Sequence, residues 1–200
     1  MKKLIPLLVM MVLNVSTNAQ TAKEMLAEIN GKWELDDNNN VTFVKLIEAP
    51  GLTKDEIFNR ALNYFTYNYV SGKSVIQHQD KEAGLIVGKG LYSNVHMGVS
   101  LQTTLVDAWH ILRVDVKDGK ARAIVTLTDY EKKITGSNGT STYSTMKISS
   151  EYPINAKGMQ KTVMSKAFYK SYQRTMKTLN AVDRAIKEGN TSKSVENTDW

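Results

Sequence analysis

The stretch GLIVGKG, Gly84 to Gly90, combines residue types used for phosphate chemistry: glycines that let backbone amides approach an anion, and a lysine to neutralise it. The spacing does not fit that use. A phosphate loop needs four residues between its first glycine and Gly-Lys, then Ser or Thr for a metal; here Leu85, Ile86 and Val87 alone intervene and Gly90 follows Lys89. The dinucleotide fingerprint fails as well, because Ser93 stands where the third glycine belongs. Three histidines, His78, His96 and His110, could supply imidazole to a metal, but no His-x-His, His-Glu-x-x-His or cysteine spacing accompanies them. No Gly-x-Ser-x-Gly elbow is present and the chain has no cysteine, so no nucleophile stands in a recognisable setting. Paired carboxylates are assembled in space, and sequence spacing does not reveal them. These residues therefore indicate no catalytic residue, no cofactor-binding residue, no metal ligand and no cofactor.

The glycines make better sense as strand residues. In a strand from Leu85, the side chains of Leu85, Val87 and Lys89 share one face, while Ile86, Gly88 and Gly90 share the other. Two positions without side chains on one face let a helix come close or let the sheet bend, and Lys89 should point away from them. This strand returns from a hairpin whose tight loop is DKEAG. A second hairpin turns at Asp118-Gly119, where a type I′ turn is expected, with Val114 and Val116 answered by Ala121, Ala123, Val125 and Leu127. The intervening NVHMGVSLQTTLVD should extend or bridge these strands. VTFVKLIEAPG, from Val41, reads as a further, largely buried strand.

Two helices must cover such a sheet. Thr53 and Glu56 have capping-box spacing, with Leu52 and Ile57 as a staple, so a helix starts at Lys54. Its apolar face holds Ile57, Phe58, Ala61, Leu62, Phe65 and Tyr69; the aromatics of YFTYNY read as core and not as a stacking platform. From Met159 to about Lys187 a long helix places Met164, Phe168, Tyr172, Thr175, Leu179, Val182 and Ile186 on one stripe, and Gly189 stops it. The Ser/Thr/Gly/Asn-rich segment from 131 to 158 is expected to be loop with one short strand at most.

The chain of 200 residues opens with two lysines, an apolar run from Leu4 to Leu13 and small residues ending in Ala19, the order of a secretory signal peptide cleaved between Ala19 and Gln20. Residues 1–19 are then the signal, 20–40 a lead-in, 41–188 the folded domain and 189–200 a frayed polar tail. The product is expected to be exported, periplasmic or secreted, with no transmembrane segment once the signal is gone. Without disulfides its stability rests on a packed core. The formal charge of +6 falls by two when Lys2 and Lys3 leave, which is too mild to argue for a nucleic-acid partner.

At EAPGLTKDEIFNRALNYFTYNY, VIQHQDKEAGLIVGKG and VDVKDGKARAIVTLTDY the sequence resembles a family of exported bacterial domains of unknown function with a TATA-binding-protein-like fold, common in Bacteroidetes-type bacteria. The resemblance runs over roughly Val41 to Lys187. It implies an α+β fold, a β-α-β4-α unit with a curved, mainly antiparallel sheet and both helices on one face, which agrees with the order read from the residues. It carries over no catalytic or binding residues, and the fold name does not imply a nucleic-acid function.

One surface feature remains. Lys166, Lys170, Arg174 and Lys177 recur at steps of four, four and three on the last helix, opposite its apolar stripe. They form a basic ridge that could meet an anionic surface or an acidic partner, or simply be a solvated back. The expectation is a non-catalytic module of the cell envelope that binds a ligand or protein on the open face of its sheet or beside the 131–158 segment. The alternative is an envelope-polymer hydrolase with spatially assembled carboxylates.

Overall fold

The structure is a computed structural model that describes residues 20–69 and 74–189; the expected signal peptide, Ala19 of its cleavage site and the tail from residue 190 lie outside these. Its elements run α1 (Ala22–Ile29), β1 (Glu34–Leu35), β2 (Val41–Glu48), α2 (Lys54–Asn68), β3 (Val75–Asp80), β4 (Leu85–Val99), β5 (Thr103–Lys117), β6 (Lys120–Thr135), β7 (Ser141–Lys147), a 3-10 turn (Ile148–Ser150) and α3 (Lys161–Glu188). All strand pairs are antiparallel, in the order β1-β2-β6-β5-β4-β3. β7 joins β6 beyond the stretch that β2 occupies.

Alternation along the strands divides the sheet into two faces. Val106, Ala108, His110, Leu112, Val114 and Val116 of β5 and Ala121, Ala123, Val125 and Leu127 of β6 are buried under the helices, while their odd and even neighbours face away. The strands do not keep one register along their length. β6 carries two residues against one of β5 beyond Ala108, and β4 carries three, Ser93 to Val95, against Asp107 alone. Asn94 accepts a φ of 54° there, and its N–H donates to Asp107 Oδ1 at 2.6 Å. These bulges fall at the same level across three strands, where extra residues bend a sheet and increase its twist.

Local chemistry explains the helix starts. In α2 the Thr53 hydroxyl accepts from Glu56 N–H and the Glu56 carboxylate accepts from Thr53 N–H, so two orphan donors are satisfied. Ile57, Phe58, Ala61, Tyr64 and Phe65 are buried, as is Tyr69 just beyond; Tyr67 is the aromatic left exposed. α3 buries Met164, Phe168, Thr175, Leu179, Val182 and Ile186 and ends at Gly189, whose φ is 78°. Arg60 of α2 donates to the carbonyls of Ile186 and Lys187, at 2.9 and 3.0 Å, closing the end of α3.

Three details differ from the sequence reading. The lead-in contains a third helix, α1, with its own capping box between Thr21 and Glu24. Eight residues are too few for an isolated helix, which needs about 12–15. α1 is held by α3: Ile29 is buried, Tyr169 donates to Glu28 Oε2 at 2.6 Å, and Trp33 meets Phe168 edge-on. The Asp118-Gly119 turn is not type I′, because Gly119 alone has positive φ, 71°. Tertiary contacts set it instead: Asp118 Oδ1 accepts from Lys54 N–H, Gly119 N–H donates to Leu52 O, and Gly119 O accepts from Ala49 N–H. Finally, the 131–158 segment is not mainly loop. β6 runs through Thr135 and pairs with β7 from Thr135↔Ser141 to Asp129↔Lys147; β7 is largely exposed, so its sequence lacks the apolar alternation that would have marked it.

Candidate functional site

The face of the sheet away from the helices is built of cross-strand rows. One row reads Val44, Ile124, Arg113, Val87, His78; the next reads Thr42, Thr126, Ile111, Lys89, Val75. A third brings Leu46, Arg122, Asp115, Leu85 and Asp80 together. Val44 and Leu46 are exposed, and Leu85, Val87, Trp109, Ile111 and Ile124 are half-buried. The charges among them are largely matched. Asp115 accepts from Arg113 at 2.8 Å through one oxygen and from Arg122 at 2.8 and 3.0 Å through the other. Lys89 points to this face and sits over the Trp109 ring, 4.7 Å from its centroid, as the alternation required. Two shallow pockets open here. One of about 260 Å³ lies beside Leu46, Asp115 and Arg122, and one of about 270 Å³ lies beside Leu105, Asp107, Glu131 and Tyr143.

The opposite side of the same strands explains the glycines. A Cβ on Gly88 would stand 2.7 and 2.8 Å from Phe65 Cε1 and Cδ1 and 3.1 Å from Tyr69 Cδ1. One on Gly90 would stand 2.8 Å from His110 Cε1 and 3.0 Å from Tyr69 Cε1. These positions are empty of side chains so that the end of α2 can lie against β4. No phosphate is involved in that account.

Beside Gly90 lies a buried polar group that the sequence did not announce. His110 is 4% exposed; its Nε2 is 2.8 Å from Tyr69 Oη, and the Tyr92 ring stacks on the imidazole at 3.8 Å and 11°. Tyr92 Oη donates to Thr178 Oγ1 of α3 at 2.8 Å. Burial pushes the His110 pKa down to about 3 and raises the phenols of Tyr69 and Tyr92 above their ordinary value. His110 Nδ1 has no partner in either tautomer. The imidazole is closed off from solvent between Tyr69 and Tyr92, so the cluster is part of the core. Only its even position on β5, among valines and alanines that face the helices, could have pointed to it.

The histidines do not come together: His78 is exposed on the open face, His96 is half-buried on the α3 side, and His110 is in the core. Among the described residues no three His, Asp or Glu side chains are grouped to hold a metal ion. Lys166, Lys170, Arg174 and Lys177 are all exposed on the back of α3, and none is in an ion pair among the described residues. Gln20, the other residue of the expected cleavage site, donates to Glu28 Oε2 at 3.1 Å. No helix among the described residues is long and apolar enough to cross a membrane.

Comparison with known proteins agrees with this architecture. No curated protein matches the chain. A crystal structure of a TBP-like protein from Parabacteroides distasonis covers 76% of this chain and 96% of its own, at 13% identity and a TM-score of 0.55. A DUF4468 family protein from Bacteroides ovatus covers 77% and 91%, at 17% identity and a TM-score of 0.46. At 13% identity the first likeness speaks for the fold alone: an antiparallel, open, curved sheet with helices on one side. Residues 43–131, from β2 to the middle of β6, match the model of the domain of unknown function (DUF4468) with TBP-like fold, and over that stretch the chain is similar to this family.

Proposed function

We propose that this protein is an exported, non-catalytic binding module of the cell envelope that holds a partner protein on the helix-free face of its sheet. The observation that carries the reading is the make-up of that face. Trp109, Ile111, Ile124, Val44 and Leu46 offer apolar contact area, and Arg113, Arg122 and Lys89 lie among them with their charges occupied by Asp115 or by the Trp109 ring. Aromatic, aliphatic and arginine side chains interleaved on an open sheet face suit a protein interface. The pockets of about 260 and 270 Å³ are smaller than the roughly 300–1,000 Å³ of small-molecule sites, which favours a protein over a small ligand. Export rests on the charged, apolar and small-residue order of residues 1–19.

An envelope-polymer hydrolase would need a cleft with two carboxyl groups, one held protonated. The carboxyl groups whose titration this structure moves are moved the other way. Hydrogen bonds hold Glu24, Glu28 and Glu56 down, and at Asp36 and Asp183 burial pulls upward but hydrogen bonds outweigh it.

Photo-crosslinking in cells that export the protein tests this. A benzophenone amino acid at Ile124 or Val44 is expected to give a discrete adduct with another protein, and Trp109→Ala should weaken that adduct. Placed at Lys170 on the back of α3, the same probe should give none. Adducts from Lys170 alone would move the contact to the basic ridge, and silence at both sheet positions would remove the open face as a site.

A further inference from the structure

The outer end of the β4–β5 hairpin combines apolar exposure with an absence of charge. Between Lys89 and Asp107 no residue carries a formal charge, His96 aside. Within that stretch Met97, Val99 and Leu101 are 66%, 74% and 93% exposed. Beyond Lys89, β4 pairs on one edge only, with β5, among the described residues. Edge strands usually carry lysine to keep other chains away, and the part of β4 beyond Lys89 has none.

The lysines stand behind Val99 and Leu101, level with Met97 and His96, on both faces of the sheet. Lys133 pairs with Leu105 and lies over Tyr143 on the open face. Lys132 pairs with Val106 on the helix side, where its Nζ donates to Gln160 Oε1. Lys166 of α3 lies near enough to His96 that its charge, after burial, helps lower the imidazole pKa. The nearest carboxylates, Asp107 and Glu131, pair with each other one rung deeper, and Asp107 is occupied by Asn94 N–H.

We propose that this end of the molecule is a membrane-contact site: the tip from Met97 to Leu101 enters the interfacial region of an anionic lipid bilayer, and Lys132, Lys133 and Lys166 meet the head groups. An uncharged apolar tip with a basic collar behind it is the arrangement that combines apolar burial with attraction to anionic lipid. Pairing with a second copy through β4 fits less well. The bulge at Ser93 to Val95 and the positive φ of Asn94 break the edge and leave few residues beyond it to pair. The inference is independent of the open-face reading, because the tip and the apolar rows occupy different parts of the sheet.

The chain from Gln20 onward, which keeps every described residue but not the apolar run at Leu4 to Leu13, is tested by cosedimentation with vesicles. Binding to 3:1 phosphatidylcholine:phosphatidylglycerol vesicles is expected, at least tenfold tighter than to pure phosphatidylcholine and weakened by salt. Val99→Ser with Leu101→Ser, both at exposed positions, should lower binding at least tenfold with the circular dichroism and melting temperature unchanged. Because the chain has no cysteine, Leu101→Cys takes a single environment-sensitive dye, whose emission should shift to the blue on anionic vesicles. Equal binding by the serine variant, no dye shift, or no vesicle binding would each overturn the proposal. So would a Leu101-dependent dimer seen by light scattering that does not bind vesicles; it would assign the tip to a second copy.

Discussion

Gly88 gives the sharpest test of how α2 is seated on the sheet. A methyl group at this position has to share space with the edge of Phe65, whose Cε1 and Cδ1 would be 2.7 and 2.8 Å away, and with Tyr69 at 3.1 Å. Phe65 is fully buried, 5.1 Å from the Tyr69 ring and 6.1 Å from the Tyr64 ring, so it cannot swing aside without disturbing two aromatic contacts. Overpacking of this kind costs about 1–3 kcal/mol, and Gly88→Val should lie at the upper end. With a urea m-value of about 1–3 kcal/mol/M, Gly88→Ala should lower the unfolding midpoint by roughly 1 M. Urea titration followed by far-UV circular dichroism measures it. A double-mutant cycle then isolates the cause. Phe65→Leu alone is expected to destabilise by removing ring contacts, yet combined with Gly88→Ala it frees room for the methyl group, so the two costs should fall short of their sum by about 1 kcal/mol or more. Strict additivity, or a tolerated Gly88→Val, would show that the close approach of α2 does not govern this position.

Acid should destabilise the fold through His110. Its folded pKa of about 3 lies below the ordinary value near 6.5, so the unfolded chain takes up the proton first. The contribution is fully present above about pH 6.5 and is lost as pH falls toward 3, by about 1.4 kcal/mol per unit. His110→Phe should flatten the stability profile between pH 6 and 4.5, measured by urea midpoints, and an unchanged slope would refute the assignment. At the start of α2, Thr53→Ala removes the hydroxyl that accepts from Glu56 N–H and should cost about 1 kcal/mol. Thr53→Ser should restore most of that, and equal midpoints for Ala and Ser would show that the cap contributes nothing.

Much of the architecture was legible because it depends on short-range periodicity. Period-two alternation located the buried and open faces of β4, β5 and β6, and put Lys89 opposite the side of Gly88 and Gly90. Helical spacing with a capping box located α2 from its first residue. β7 and α1 were harder. The exposed β7 has no face that must be apolar, and the short α1 is held by Tyr169, far along the chain, with Trp33 just beyond it set against Phe168. The turn at Asp118-Gly119 was misassigned for the same reason, since the backbone groups that hold it come from residues 49 to 54.

The candidate sites divide along the same line. Sequence by itself determined that no nucleotide loop, metal spacing or nucleophile motif is present, that the last helix has a basic back, and which strand residues must share a face, because each of these is a property of neighbours in the chain. Tertiary structure alone decided that Arg113, Asp115 and Arg122 form one ionic group on the open face, that Lys89 covers Trp109, and that His110 is closed in by Tyr69 and Tyr92. Such contacts arise from strand register and from the bend at the bulges, and an extra residue in one strand exchanges which side chains meet. GLIVGKG shows both halves. Its alternation foretold a face free of side chains, and only the packed structure placed Phe65, Tyr69 and His110 in the space those glycines leave.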